Sequence, residues 1–145
     1  RVSRRRQLLK LIAEDVRRDL QDYPALRELL ERQHTAMLRR DAGAMESLNT
    51  EIGARLEDIR TRAQRRSKVL RAFGLELGAA GMQRLFAAYP PLLRQELESA
   101  WAKLARLAAE CKQLNERNGK LLAMQNEILA QLLGEQSYLY SPQAL

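Results

Sequence analysis

Residues that commonly carry out chemistry are scarce in this chain. Its 145 residues include one histidine, His34, and one cysteine, Cys111. A single cysteine cannot form an intramolecular disulfide, and these two residues cannot supply a zinc site. Carboxylate metal sites in helical bundles use two Glu-x-x-His pairs, and no nucleophile elbow or phosphate-binding glycine loop occurs in the sequence. The sequence therefore predicts no catalytic activity, metal or cofactor, with His34 at the edge of the core and Cys111 inside it.

Polar residues interrupt an apolar helical pattern in the segment LNERNGKLL, residues 114–122. Asn115, Asn118 and Gly119 stand among leucines at helical spacing, where a helix built only to pack favours Ala or Leu. A buried polar residue can select one register or one partner at some cost in stability. Alternatively, the two asparagines satisfy backbone groups where the short connection between helices crosses. The pattern leaves a structural role and a partner-binding role open.

The net charge of +7 comes from two basic clusters. One contains Arg1 and Arg4–Arg6, and the other extends from Arg60 to Arg71. Without the ten basic residues of these clusters, the chain has 15 basic and 18 acidic residues. Neither cluster contains aromatics that stack on bases, and no zinc-finger or helix-turn-helix pattern occurs. We interpret the clusters as a solvated helix face and a basic tail, with an acidic or nucleic-acid partner as the alternative.

Apolar residues at helical spacing predict three long helices, at about residues 4–40, 43–73 and 91–133. Pro24 lies inside the first of these and predicts a kink or a brief break. Asp41 is expected to cap the second helix at its N-terminus. Three glycines and two prolines in residues 74–91 indicate a connection, with a short helix near residues 82–88.

The predicted fold is all-α, an elongated antiparallel three-helix bundle or coiled coil with a long C-terminal helix. Residues 1–134 form a single helical-bundle domain, and residues 135–145 form a flexible C-terminal tail after Gly134. Two rows of residues seven apart follow the third helix; they are Leu93, Ala100, Leu107, Leu114, Leu121 and Ile128, and Leu97, Leu104, Cys111, Asn118, Gln125 and Leu132.

The third helix is predicted to extend beyond its neighbours, because the second helix is the shortest of the three. Residues 121–133 then remain uncovered, and an uncovered apolar stripe indicates a partner site. The alternative is that this stripe packs on the first helix or on a second copy of the chain. No stretch has the length and apolarity of a membrane span or the features of a signal peptide, which favours a cytoplasmic protein.

Residues 114–122, followed about 20 residues later by Leu139 and Tyr140, resemble the FlgN family of flagellar export chaperones. The Leu-Asn-x-x-Asn-Gly-x-Leu-Leu element of that family matches Leu114, Asn115, Asn118, Gly119, Leu121 and Leu122. Leu139 and Tyr140 match its Leu-Tyr pair, although Ser141-Pro142 stands where the family has glycine.

The resemblance implies a cytoplasmic chaperone without enzymatic activity. Such proteins bind the C-terminal helices of the two hook–filament junction proteins and deliver them to the flagellar type III export apparatus. The residues expected to bind these substrates are Asn115, Asn118, Leu121, Leu122, Gln125, Ile128, Leu129 and Leu132. Leu139 and Tyr140 are expected to dock to the cytosolic domain of the membrane export gate. No small-molecule substrate is expected, and the alternative function is a basic helical-bundle adaptor that binds nucleic acid or an acidic protein through Arg60–Arg71.

Overall fold

Four helices make up the described part of the chain. This computed structural model describes residues 3–140, and the side chains of residues 3–133. The helices are α1 (Arg4–Arg39), α2 (Ala42–Ala72), α3 (Ala79–Phe86) and α4 (Pro91–Tyr140). No strand occurs within residues 3–140, so the all-α prediction is confirmed. The first two helices have nearly the predicted bounds, and α3 is the short helix expected in the connection.

A tight turn reverses the chain between α1 and α2. Arg40 adopts a left-handed conformation with a φ of 54°, and its N–H donates to the carbonyl of Met37. The N–H of Asp41 donates to the carbonyl of Ala36 at 3.0 Å, which closes the end of α1 in a Schellman arrangement. The Asp41 carboxylate accepts from the N–H of Ala44 at 3.1 Å. The predicted helix cap is confirmed.

Pro24 lies inside α1, and the helix continues through it as one element of 36 residues. Of the two predicted alternatives, the break is therefore excluded. A proline in a helix interior costs about 3 kcal/mol or more, because one backbone hydrogen bond is lost and the ring crowds the preceding turn. Leu26, Leu29 and Leu30 follow Pro24 directly and are buried, so packing on the neighbouring helices offsets that cost.

α1 is the central helix, because the backbones of α2 and α4 each lie close to it and not to each other. Among residues 3–140, no Cα atom of α2 lies within 8 Å of a Cα atom of α4. Ion pairs from Arg17 to Glu96 and from Arg27 to Glu110 align α4 in the same direction as α1. The exact bundle arrangement expected from the sequence is not confirmed, because the backbones of α2 and α4 are not in close contact within residues 3–140, although the Arg66 guanidinium lies over the Trp101 ring at 5.2 Å.

Two apolar clusters fill the interior of the part of the chain that the structure describes. The first joins α1, α2, α3 and α4 around Phe86, whose ring packs near Tyr89 and Trp101. The second lies closer to the α1–α2 turn and contains Leu26, Leu29, Leu30, Ala36, Leu48, Ile52, Ile59 and Cys111. Cys111 is therefore a core residue, as predicted. Leu56 of α2 lies outside both clusters and is exposed.

An ionic network joins α1 to α2 between these clusters. Asp15 accepts two hydrogen bonds from Arg65, at 2.7 and 2.8 Å. Asp19 accepts one from Arg62 at 2.5 Å and one from Arg66 at 2.7 Å. Asp15, Asp19 and Arg62 are buried, and a buried charge requires such partners. The prediction of a solvated basic surface is wrong for these three arginines, whose positive charges are matched by aspartates of α1.

Candidate partner-binding surface on the C-terminal helix

The two rows of α4 that face α1 change from buried to exposed along the helix. In one row, Leu97 and Cys111 are 0% and 5% exposed, whereas Leu132 is 53% exposed. In the other row, Leu107 is 4% exposed and Ile128 is 46% exposed. The residues compared at the two ends of each row are similarly apolar, so the difference lies in what covers the helix.

The cover disappears because α1 ends before α4 does. Near the end of α1, the Gln125 Nε2 atom donates to the carbonyl of Met37 at 3.1 Å. α1 ends at Arg39, and α4 continues to Tyr140. At 1.5 Å per residue, residues 126–140 extend about 22 Å past this contact. α4 therefore projects beyond the helix that covers its first part, as the sequence pattern predicted.

We use the term distal surface for the exposed large apolar residues of α4 within residues 122–133, the last stretch whose side chains are described. They are Leu122, Met124, Ile128, Leu129, Leu132 and Leu133. With about 100° of rotation per residue, they occupy roughly half of the helix circumference. Single exposed apolar residues are common on proteins, but a contiguous group of this kind indicates an interaction site. Met124 and Leu133 were not among the residues expected to bind substrate, although both lie in the segment 121–133 that was predicted to be uncovered.

A groove runs beside the distal surface, between α4 and the α1–α2 turn. Its volume is about 390 Å³. Ala42 and Met45 line one side, and Leu122, Ile128 and Leu129 line the other. The Arg40 side chain and the amides of Gln125 and Asn126 also line it. A mostly apolar groove with a few polar groups suits the apolar face of an amphipathic helix.

Asn118 is buried and links helices inside the protein. Its side chain is 1% exposed, and its Nδ2 donates to the Leu30 carbonyl and to the Gln33 Oε1 atom, both at 2.8 Å. The Nε2 of Gln33 donates to the Oδ1 of Asn49 on α2 at 2.7 Å. A chain of side-chain amides thus connects α2, α1 and α4. The prediction that Asn118 contacts a partner is corrected, because its donors are used to fix the register of α4 on α1.

The other predicted binding residues are in three different surroundings. Asn115 is exposed and lines a smaller cleft of about 200 Å³ between α2 and α4, on the floor formed by α1. Leu121 and Gln125 are half-buried, and Gln125 bonds α1. Leu122 is exposed together with Ile128, Leu129 and Leu132. These last four residues are the part of the prediction that lies on one open surface.

The predicted tail begins inside α4. The helix continues through Gly134 to Tyr140, so the expected helix end near residue 133 is wrong. Glycine costs about 1 kcal/mol in a helix interior, but the surrounding leucine, glutamate and glutamine residues favour helix. Leu139 and Tyr140 lie beyond the described side chains, and residues 141–145 lie outside the described residues. The division into a domain of residues 1–134 and a tail stays a prediction.

The cysteine and the histidine of the chain both lie at least partly inside the protein. Burial raises the pKa of the Cys111 thiol, and its Sγ donates to the Tyr23 carbonyl at 3.6 Å. His34 is half-buried. In the part of the chain that the structure describes, no three His, Cys, Asp or Glu residues are placed to hold a metal ion. No helix among these residues has both the length and the apolarity needed to cross a membrane.

Comparison with known proteins gives one match. The family model described as FlgN protein matches residues 8–134. The matched range includes all of α2 and α3, most of α1, and α4 up to the end of the distal surface. No curated protein and no solved structure matches the chain significantly.

Proposed function

The chain belongs to the FlgN family, and from this premise we propose that it is a cytoplasmic chaperone for the hook–filament junction proteins. The family supports a role in flagellar export in general. In our proposal, the C-terminal helices of the junction proteins bind the distal surface, and the chaperone delivers them to the type III export apparatus. The protein has no catalytic step to perform in this role.

The observation that carries the proposal is the continuation of both α1-facing rows past the end of α1. Ile128 and Leu132 extend these rows, and Leu129 lies beside them. A substrate helix placed along α4, end to end with α1, covers these side chains as α1 covers their counterparts in the first part of the helix. The projecting length of about 22 Å corresponds to a substrate helix of roughly 15 residues.

Two contacts hold the distal surface in position for such a helix. Asn118 and Gln125 bond to carbonyls of α1 near its end, at 2.8 and 3.1 Å. The projecting part of α4 therefore leaves the bundle in a fixed orientation. A substrate helix that is apolar on one face is prone to aggregation when free, and covering that face keeps it unassembled until export.

Leu129→Asp tests this site. We expect the variant to bind a peptide of the junction proteins' C-terminal helix at least 100-fold more weakly, about 3 kcal/mol, because a charge replaces a central apolar contact. Isothermal titration calorimetry measures the affinity. Leu92→Asp is the matched control, since Leu92 is exposed at the opposite end of α4. Unchanged affinity of the Leu129 variant, or an equal loss in both variants, contradicts the proposal.

We propose further that Leu139 and Tyr140 dock the chaperone to the cytosolic domain of the export gate. This part depends on the match of these residues to the Leu-Tyr pair of the family. Tyrosine offers a large contact area and few rotatable bonds, so Tyr140→Ala is expected to weaken gate binding by about 10-fold or more. Substrate affinity should not change. Tyr138→Ala is the control in a direct binding assay, and equal gate affinity for the Tyr140 variant and the parent protein contradicts this assignment.

The structure does not favour the alternative of a nucleic-acid adaptor that uses Arg60–Arg71. Arg62, Arg65 and Arg66 are hydrogen-bonded to aspartates of α1. Phosphate binding requires cationic side chains that can release counterions, and side chains engaged in internal pairs contribute little to it.

A further inference from the structure

A second groove lies at the opposite end of the molecule from the distal surface, between the first turns of α1 and the start of α4. Its volume is about 490 Å³. Leu9 and Ala13 of α1, with Tyr89 and Leu93, give this N-terminal groove an apolar floor. Ala13 and Tyr89 are buried, while Leu9 and Leu93 are half-buried and remain accessible.

The walls of the N-terminal groove are basic. Among the described residues, four basic side chains and one acidic side chain, Glu14, line it. Arg17 is paired with Glu96 at 3.1 Å, and Arg5 lies over the ring of Phe73 at 5.1 Å from its centroid. The other two basic residues of the wall, Arg6 and Lys10, are exposed. The groove thus combines accessible apolar area with an excess of positive charge.

The arginines in the first turn of α1 lie where positive charge lowers the stability of the helix. The first turn of α1 contains no acidic residue, although acidic side chains are favoured at the positive end of the helix dipole. Arg4, Arg5 and Arg6 occupy that turn instead. Their charges add to the field of the helix terminus, and carboxylates of a bound partner relieve the repulsion that the free protein retains.

We propose that the N-terminal groove binds an acidic amphipathic helix of a partner protein. Its apolar side chains pack on Leu9 and Leu93, and its carboxylates lie beside Arg6 and Lys10. Between Arg5 and Arg17, α1 rises about 18 Å, which matches roughly three turns of a partner helix.

The floor of the groove distinguishes this ligand from other polyanions. Nucleic-acid bases require accessible aromatic faces for stacking. Tyr89 is buried, and its hydroxyl donates to the Leu9 carbonyl at 2.6 Å, so its ring is committed to the core. The apolar floor is concave, so a helix fits it better than a flat lipid surface would.

Fluorescence anisotropy with the full chain tests the proposal. The probe is a fluorescein-labelled peptide of about 14 residues with leucines at helical spacing on one face and glutamates elsewhere. A peptide with lysines in place of the glutamates is its match. We expect a micromolar Kd for the glutamate peptide and at least 10-fold weaker binding of the lysine peptide. Lys10→Glu should weaken the glutamate peptide at least 10-fold, and Arg6→Glu with Lys10→Glu should reverse the preference.

Three controls can overturn the proposal. A glutamate peptide with serines in place of its leucines should lose binding, and equal affinity shows that charge alone acts. Leu129→Asp should leave the affinity unchanged, whereas a loss in this variant but not in Lys10→Glu places the peptide on the distal surface. A single-stranded oligonucleotide and vesicles with equal phosphatidylglycerol and phosphatidylcholine test the choice of ligand. That choice is overturned if either binds more tightly than the glutamate peptide and if Lys10→Glu removes this binding. A Kd above about 1 mM for the glutamate peptide overturns the site itself. None of these results affects the chaperone proposal, which concerns the other end of the molecule.

Discussion

The first and last parts of α4 have the same apolar pattern and opposite surroundings. Leu97 and Leu107 are buried against the rest of the protein, whereas Leu132 and Ile128, which continue the same two rows, are about half exposed. Burying a leucine contributes roughly 1.5 to 3 kcal/mol relative to leaving it exposed. In the first part of α4 that free energy stabilises the fold. In the projecting part it is available for binding, and the end of α1 separates the two cases.

An aspartate placed in each part gives the largest expected difference. Leu97 is fully buried, so Leu97→Asp should lower the free energy of unfolding by about 4 kcal/mol or more and leave little folded protein. Leu129 is 54% exposed, and Leu129→Asp should change the free energy of unfolding by less than about 0.5 kcal/mol. Urea denaturation followed by circular dichroism measures both. A loss of several kcal/mol in the Leu129 variant would place Leu129 in the core.

The two asparagines of the segment 114–122 lie near the boundary between the covered and the projecting parts of α4, so substituting each of them tests where that boundary falls. Asn118→Ala should cost about 2 kcal/mol, because two buried hydrogen bonds are lost and Gln33 loses a partner. Asn115 is exposed, so Asn115→Ala should change the free energy of unfolding by less than about 0.5 kcal/mol. Urea denaturation of the two variants side by side measures the difference. Similar effects would mean that the amide chain across the three long helices contributes no stability.

The sequence predicted the long helices well, because their signals are local. Periodicity located α1 and α2 almost to the residue, and the N-cap preference identified Asp41. The helix end at Gly134 was wrong because glycine is only a weak stop signal, and the neighbouring residues favour helix. How the helices pack was harder to predict, since a seven-residue pattern tells which face is apolar and does not tell which helix covers it.

The interior polar contacts were missed for a similar reason. Arg62, Arg65 and Arg66 were interpreted as solvated surface because they stand close together in the sequence. The pattern that predicts their contacts is a row of acidic residues on another helix. Asp15, Asp19 and Asp22 have the spacing of one face of α1, and that face lies against α2. Asn118 was correctly singled out as unusual, but a buried asparagine in a helix can serve a partner or a neighbouring helix equally well. Only its position opposite Leu30 and Gln33 decides between these roles.

The smallest expected effect concerns Gly119, which lies between the two parts of α4. A Cβ atom at this position would meet no other atom within 4 Å, so Gly119→Ala introduces no clash. The substitution should raise the free energy of unfolding by about 1 kcal/mol, the usual difference between alanine and glycine in a helix interior. Gly81→Ala is the control and should destabilise the protein, because a Cβ there would clash with the Glu76 carbonyl oxygen.

Gly119→Ala also tests how the distal surface is used. Asn118 and Gln125 fix the orientation of the projecting helix through α1, so a stiffer backbone at residue 119 adds nothing that the substrate needs. We therefore expect the affinity for the junction-protein peptide to stay within about 2-fold of the parent value, less than 0.5 kcal/mol. Calorimetry on the variant and the parent measures it. A loss of 10-fold or more would show that substrate capture requires α4 to bend at Gly119, and the fixed orientation inferred from the two contacts would then be wrong.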